Sequence, residues 1–169
     1  GQTSYWEFIE DDNDKTLYFV ESPNDGSSDK LWYSTNATSF LLHPLAGLGT
    51  DPSIRRESLS IDPAGNNLFF RDEKNAKYFR YNSASETWEE KMSGIAEAGW
   101  TIGAVFNIHS LGSHVFGSVL FGNASSEMKM VLFYSSDNGE NWNAIADPGL
   151  EFPMFESQMI IAGGNRIIG

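Results

Sequence analysis

Residues Leu132-Phe133-Tyr134-Ser135-Ser136-Asp137-Asn138-Gly139-Glu140-Asn141-Trp142 pass from a strand-forming run through a polar turn to a tryptophan. The run has the aliphatic and aromatic character that fits a pleated, half-buried surface. Ser, Asp, Asn and Gly then supply a turn, through short side chains that bond to local backbone and a Gly that accepts positive φ. Two further stretches share the plan. Leu31-Trp32-Tyr33-Ser34 and Tyr78-Phe79-Arg80-Tyr81-Asn82 each read as a strand ending in a Tyr and a small polar residue. An aromatic follows at nearly constant distance: Phe40 seven residues past Tyr33, Trp88 seven past Tyr81, and Trp142 eight past Tyr134.

Upstream of each copy stands an apolar tetrad, Leu17-Tyr18-Phe19-Val20, Leu68-Phe69-Phe70-Arg71 and Val119-Leu120-Phe121-Gly122, at a spacing of 51 residues, twice. A fourth piece precedes each tetrad, as Trp6-Glu7-Phe8-Ile9, Ser58-Leu59-Ser60-Ile61 and Ala104-Val105-Phe106-Asn107-Ile108, and recurs as Met159-Ile160-Ile161. Each unit therefore holds four short strands, the periodicity of a β-propeller blade. A β-sandwich has a similar strand count but no need for a threefold recurrence of turn chemistry. Pro23-Asn24-Asp25-Gly26, Asp62-Pro63-Ala64-Gly65-Asn66 and Gly163-Gly164-Asn165 read as tight connections. Gly94, Gly99 and Gly103 break any helix over 95–103, which reads as a loop between the second unit and the third.

The composition agrees with an all-β chain: 12 Phe, 6 Tyr and 5 Trp in 169 residues, without Ala- and Leu-rich helical spacing. A net charge of -12 repels phosphate backbones and anionic headgroups, so neither nucleic acid nor membrane insertion is expected. No apolar run approaches the length that crosses a bilayer, and no basic-then-apolar signal opens the chain. Cysteine is absent, which removes disulfides, thiolate metal sites and a Cys nucleophile. Asn36-Ala37-Thr38 and Asn123-Ala124-Ser125 match the short glycosylation acceptor pattern.

The turn from Ser135 to Trp142 resembles the Asp-box of sialidase-like (BNR-repeat) propellers, which runs Ser, any, Asp, any, Gly, any, Thr or similar, Trp; Asn141 stands where Thr is commoner. The resemblance implies structural roles for Ser135, Asp137, Gly139 and Trp142: side chains that staple the hairpin, a Gly at positive φ, and a Trp wedged beside the next sheet. Phe40 and Trp88 are expected as the matching aromatic anchors. The other two turns depart from the box. Asn82-Ser83-Ala84-Ser85-Glu86-Thr87-Trp88 lacks the Asp and the Gly and is similar to kelch-type blades, while Ser34-Thr35-Asn36-Ala37-Thr38-Ser39-Phe40 keeps only an aromatic. The chain also resembles the propeller domains of secreted or surface proteins of gut bacteria, which implies a secreted, periplasmic or cell-surface location.

The expected architecture is an incomplete ring of four-stranded antiparallel blades in one domain: blades at 1–48, 49–99 and 100–152, and the start of a fourth at 153–169. Dividing 169 by the 51-residue spacing gives about 3.3 units, whereas propellers have about four to eight. The remainder of a longer chain, ahead of another copy, is expected to complete the ring.

A sialidase-like glycoside hydrolase, the alternative function, needs three arginines on a substrate carboxylate and a Tyr with a Glu partner. Only Arg55, Arg56, Arg71, Arg80 and Arg166 are available, and none lies in an Arg-Ile-Pro segment. His43, His109 and His114 are too sparse for a metal set and read as turn residues. The run Glu10-Asp11-Asp12-Asn13-Asp14 lacks the Gly and distant Glu of a calcium loop and reads as a hairpin turn, and Asp25, Asp29, Asp137 and Asp147 are ordinary turn carboxylates. No phosphate loop, nucleophile elbow or His-Glu-x-x-His occurs. No catalytic residue, metal or cofactor is expected. Trp6, Trp32 and Trp100 are aromatics suited to sugar stacking, and Trp100, in a loop, is the candidate for surface binding. The expected function is a non-catalytic binding or scaffold module whose loops meet a glycan or protein partner ahead of a small molecule.

Overall fold

The computed structural model describes residues 5–10, 16–23, 27–49, 52, 54, 58–62, 67–111, 113–145, 160–162 and 166–168. Among them the chain is all-β. Strands β1 (Tyr5–Glu10), β2 (Leu17–Ser22), β3 (Lys30–Ser34) and β4 (Leu41–Leu42) form a first antiparallel meander. Strands β5 (Leu59–Asp62), β6 (Asn67–Asp72), β7 (Lys77–Asn82) and β8 (Thr87–Glu90) form a second. Strands β9 (Thr101–Leu111), β10 (His114–Gly122), β11 (Met128–Ser135) and β12 (Asn143–Ala144) form a third. Strands β13 (Ile160–Ala162) and β14 (Arg166–Ile168) make a separate antiparallel pair. The described sheets do not close into a ring. The loop expected over 95–103 stops at Trp100, because Thr101, Ile102 and Gly103 already pair with β10 or lie within β9. The expected turns at 24–26, 63–66 and 163–165 lie outside the described residues, as does most of the stretch expected to begin a fourth blade.

Backbone bonds fix which residues correspond. His43 N donates to Leu31 O, Lys91 N to Tyr78 O and Ile145 N to Leu132 O, at 2.7, 2.8 and 2.8 Å. Leu31, Tyr78 and Leu132 are therefore equivalent, and Arg80, not Tyr81, stands where Tyr33 and Tyr134 stand. The cross-strand register carries the same alignment inward, pairing Tyr18 with Tyr33, Phe69 with Arg80 and Phe116 with Tyr134. The third counterpart of Leu17–Val20 and Leu68–Arg71 is thus Val115–Ser118 and not Val119–Gly122. Register shifts in the β9–β10 pair, between Gly117 and Ser118 and between Leu120 and Phe121, accompany a longer strand whose apolar pattern runs past the repeat.

Sheets stack because alternate side chains of the middle one are buried on both sides. Leu68 and Phe70 of β6 join Val20, Leu31, Leu48, Phe79 and Trp88 between the first and second sheets. Phe69, from the same strand, joins Tyr78, Val105, Val115, Phe133 and Trp142 between the second and third. Tyr78 reaches farthest: its hydroxyl lies 2.6 Å from Phe106 O and 2.8 Å from Ser118 O, donating to carbonyls beside the β9–β10 register shift. Gly117 makes room, since a Cβ there would sit 2.8 Å from that hydroxyl. The first two sheets carry Phe19 and Phe70 at this position. Burial pushes the phenol pKa far up, so Tyr78 is a permanent donor. Tyr78→Phe leaves buried carbonyls short of a donor and is expected to cost about 1–3 kcal/mol, read as a lower urea midpoint with an unchanged slope.

Candidate functional site

The turn between β11 and β12 is closed by its own side chains. Ser135, fully buried at the end of β11, donates from Oγ to Asp137 Oδ1 at 2.7 Å and accepts from the N–H of Gly139 at 2.9 Å. Asp137 in turn accepts from Asn141, through the backbone N–H on Oδ1 and the side-chain amide on Oδ2, both at 2.9 Å. Asn141 therefore acts on the same carboxylate with two donors. Asn138 and Gly139 are both left-handed, at φ 58° and 81°, and a Cβ on Gly139 would stand 3.3 Å from the Phe69 ring of the sheet behind. Hydrogen bonds from Ser135 and then Asn141 hold the Asp137 carboxyl down to about 2.

The first sheet repeats this device with other residues. Ser34 Oγ donates to Asn36 Oδ1 at 3.2 Å, and that oxygen accepts the N–H groups of Thr38 and Ser39 at 2.9 and 3.0 Å, with Ala37 left-handed. Asn36 thus does what Asp137 does, one residue tighter. In the second sheet the work moves to Asn82, whose Oδ1 accepts from Ala84 and Ser85.

Trp88 and Trp142 dock on the connection that leaves the preceding sheet. Trp88 Nε1 donates to Pro44 O at 3.0 Å, and its backbone N–H donates to Ala46 O at 2.8 Å. Trp142 does the same one sheet on, from Nε1 to Lys91 O at 2.9 Å and from its N–H to Ser93 O at 2.8 Å. Both rings are 3% exposed, while Phe40, their counterpart on the first sheet, is 37% exposed and packs edge-on against Phe19. Each connection turns on a left-handed Gly: Gly47 at φ 93° and Gly94 at 88°, bridged by Leu48 N to Leu45 O and Ile95 N to Met92 O. The repeated pattern Leu45-Ala46-Gly47-Leu48 and Met92-Ser93-Gly94-Ile95 was legible but lies outside the strand-and-turn units on which the repeat was read.

Charges fasten the third sheet's turn to the second sheet. Lys91 Nζ bonds both Glu140 oxygens, at 2.8 and 2.9 Å, and Glu89 at 2.9 Å. Arg80 donates to Asn138 O at 2.9 Å and also reaches Glu140. Lys91 chiefly, then Arg80, holds the Glu140 carboxyl below its ordinary range.

The remaining candidates are dispersed. Trp100 packs against the core between the second and third sheets, and Lys129 lies over its ring at 4.6 Å while pairing with Glu97. Trp32 stacks on Phe19 and donates to Glu21. His43 is buried among Tyr18, Tyr33, Tyr81 and Trp88. Its Nδ1 lies 2.9 Å from Pro44 O, an acceptor only, so Nδ1 carries the proton. Burial lowers its pKa and that of His109, whereas His114 is exposed. Arg71 is buried and pairs with Glu73, and among the described residues its Nε has no partner. Asp29 accepts the N–H of Ile54. Arg55, Arg56, Asp25, Asp147 and residues 11–14 of the acidic run lie outside the described residues, as do the side chains of Trp6 and Arg166. Among the described residues, no three His or carboxylate groups are placed to share a metal ion, and no helix is long and apolar enough to cross a membrane. No protein-family model matches the chain, and no curated protein matches it.

A Cβ on Gly47 or Gly94 would fall 2.0 or 2.2 Å from the carbonyl oxygen of Trp88 or Trp142. Gly94→Ala is expected to cost about 2 kcal/mol or more through clash and left-handed strain, while Gly49→Ala, with nothing within 4 Å, leaves the urea midpoint near that of the wild type.

Acid should act in two windows. The folded state disfavours protonated His43, so its contribution is present above the ordinary value of 6.5 and falls as pH drops below it. Asp137 contributes above the ordinary 3.8 and loses that contribution as pH falls through about 2. Thermal melts from pH 8 to 2 should show His43→Gln flattening the first decline and Asp137→Asn the second.

Proposed function

We propose that the sheets are blades of an Asp-box-type β-propeller and that the chain serves as a non-catalytic binding or scaffold module. On this reading the ring is completed by further sheets, and a glycan or protein is held by turns at one end of the stack. The observation that carries it is the repeated interface. Trp88 and Trp142 seat successive sheets in the same way, so the equivalent turns 35–38, 83–86 and 136–141 emerge at one end on a rigid support. Groups with chemical potential are committed to structure: Ser135 and Asp137 close their own turn, and Tyr78 donates to carbonyls of the next sheet. The Trp100 ring carries Lys129 on its face, so the turns are better placed than Trp100 to meet a partner. A net charge of -12 favours a partner with a basic face.

Exposed Glu86, in the β7–β8 turn, tests this. Glycan-array and affinity-capture screens at low salt should find a ligand, and Glu86→Lys should weaken it about threefold or more by slowing association without moving the melting temperature. Hydrolysis of a fluorogenic sialoside by the purified, folded protein would instead establish the glycosidase alternative.

A further inference from the structure

We infer that Asn138 is a site of covalent modification: a spontaneous deamidation against Gly139 that the seam between the second and third sheets holds shut and that opening of the seam releases. The inference stands apart from the reading of the chain as a binding module and depends on no ligand.

Asn138-Gly139 is the one Asn-Gly pair in the 169 residues. The glycine brings no Cβ, so its amide nitrogen has an open approach to the asparagine side chain once the backbone is free to turn. In the reaction that nitrogen gives up its proton to hydroxide and bonds to Asn138 Cγ, while the Cγ–Nδ2 bond breaks and Nδ2 leaves as ammonia with a proton from water. Water then opens the five-membered imide at either carbonyl. One product is aspartate; the other is isoaspartate, in which the main chain runs through the former side chain. Nothing is oxidised or reduced: one water enters and one ammonia departs.

In the folded chain the groups that this reaction must move are held. Gly139 is buried, and its N–H donates to Ser135 Oγ at 2.9 Å, while the Ser135 hydroxyl proton is committed to Asp137 Oδ1 at 2.7 Å. Asn138 Oδ1 accepts from Asn67 Nδ2 of β6 at 3.2 Å, which ties the amide to the second sheet. The Asn138 N–H donates to Ser113 O and its carbonyl accepts from Arg80, both at 2.9 Å. Asn138 and Gly139 are both left-handed, and closing the ring turns the peptide between them and breaks the bond to Ser135.

Most of these restraints come from across the seam. Asn67 and Arg80 belong to the second sheet, and Lys91, which follows its last strand, fastens the same turn through Glu140. The turn is therefore freed when the third sheet lifts from the second, without unfolding of the rest of the chain. The equivalent turns carry Asn36-Ala37 and Asn82-Ser83, where a side chain on the second residue obstructs the attack. Isoaspartate at 138 would lengthen the main chain by one methylene and add a carboxylate beside Asp137 and Glu140, so a modified turn no longer fits its seat on Arg80.

Peptide mapping by mass spectrometry at mildly alkaline pH reads the conversion of Asn138 with time. In the folded wild type it should run at least about tenfold slower than in the same chain in urea. Glu140→Gln keeps the shape of an exposed side chain but removes the charge that Lys91 and Arg80 hold, and Ser135→Ala removes the acceptor of the Gly139 N–H. Each should speed conversion about threefold or more under folding conditions, with the circular dichroism spectrum of the wild type; Glu140→Gln alone decides if Ser135→Ala does not fold. Val20→Ala, in the core between the first and second sheets, should lower the urea midpoint and leave the Asn138 rate in place. Equal rates with and without urea, no acceleration by Glu140→Gln, or an equal acceleration by Val20→Ala overturns the inference.

Discussion

The docking of an indole on the connection that leaves the neighbouring sheet is the constraint from which the rest of this architecture follows. Trp88 and Trp142 each offer two donors, one on the ring and one on the backbone, to two carbonyls at the start of the connection that leaves the preceding sheet. Those carbonyls converge only because the connection turns on a left-handed Gly, and the Gly is tolerated against the Trp backbone only because it has no Cβ. Displace the connection and the indole N–H is buried without an acceptor, a cost of about 1–3 kcal/mol on top of lost packing. His43 strengthens the first dock by donating to the same Pro44 carbonyl as Trp88, so one oxygen holds two sheets.

Each dock is reinforced by a different chemistry. Between the first and second sheets the surround is aromatic: His43 lies 4.3 Å from Tyr81 and within 6.0 Å of Tyr18, Tyr33 and Trp88, ring centre to ring centre. Between the second and third it is ionic, with Lys91 held by Glu89 and Glu140 and Arg80 reaching across. Lys91 occupies the place of His43 by its backbone bond, so one position serves as ring filler in one interface and as cation in the next. A largely buried lysine with two carboxylates contributes little net stability over an apolar replacement, but it penalises strongly any arrangement that leaves it unpaired. That asymmetry sets the position of the third sheet's turn more than it sets its stability.

The strands were legible because alternation and aromatic content survive at every unit, and the Ser135–Trp142 turn because its fixed residues each have a distinct backbone task. The register was less so. Tyr81 mimics Tyr33 and Tyr134 in sequence while Arg80 takes their place in the sheet, and Val119–Gly122 mimics the tetrad while Val115–Ser118 takes it. Both slips have one cause: neighbouring residues of the same type compete for a pattern, and only hydrogen bonding decides between them. The Asn36 staple was hidden for another reason, since an amide oxygen can replace a carboxylate as acceptor without preserving the motif. The Gly47 and Gly94 turns lay in plain view but between the units that periodicity picks out.

The charge balance acquires a spatial meaning from these interfaces. Eleven basic residues face 23 acidic ones, and Arg71 and Lys91 are buried while Arg80 lies largely within the sheet contact. Cations drawn inward to neutralise inter-sheet carboxylates are withdrawn from the solvent surface, so the exposed turns are more acidic than the composition alone implies. Glu86, Asp137 and Glu140 are exposed in the equivalent turns of the second and third sheets. Their field adds at long range even where each charge is locally paired. A stack that draws Lys91 and Arg80 into its sheet contacts therefore leaves its turns with an excess of exposed carboxylates.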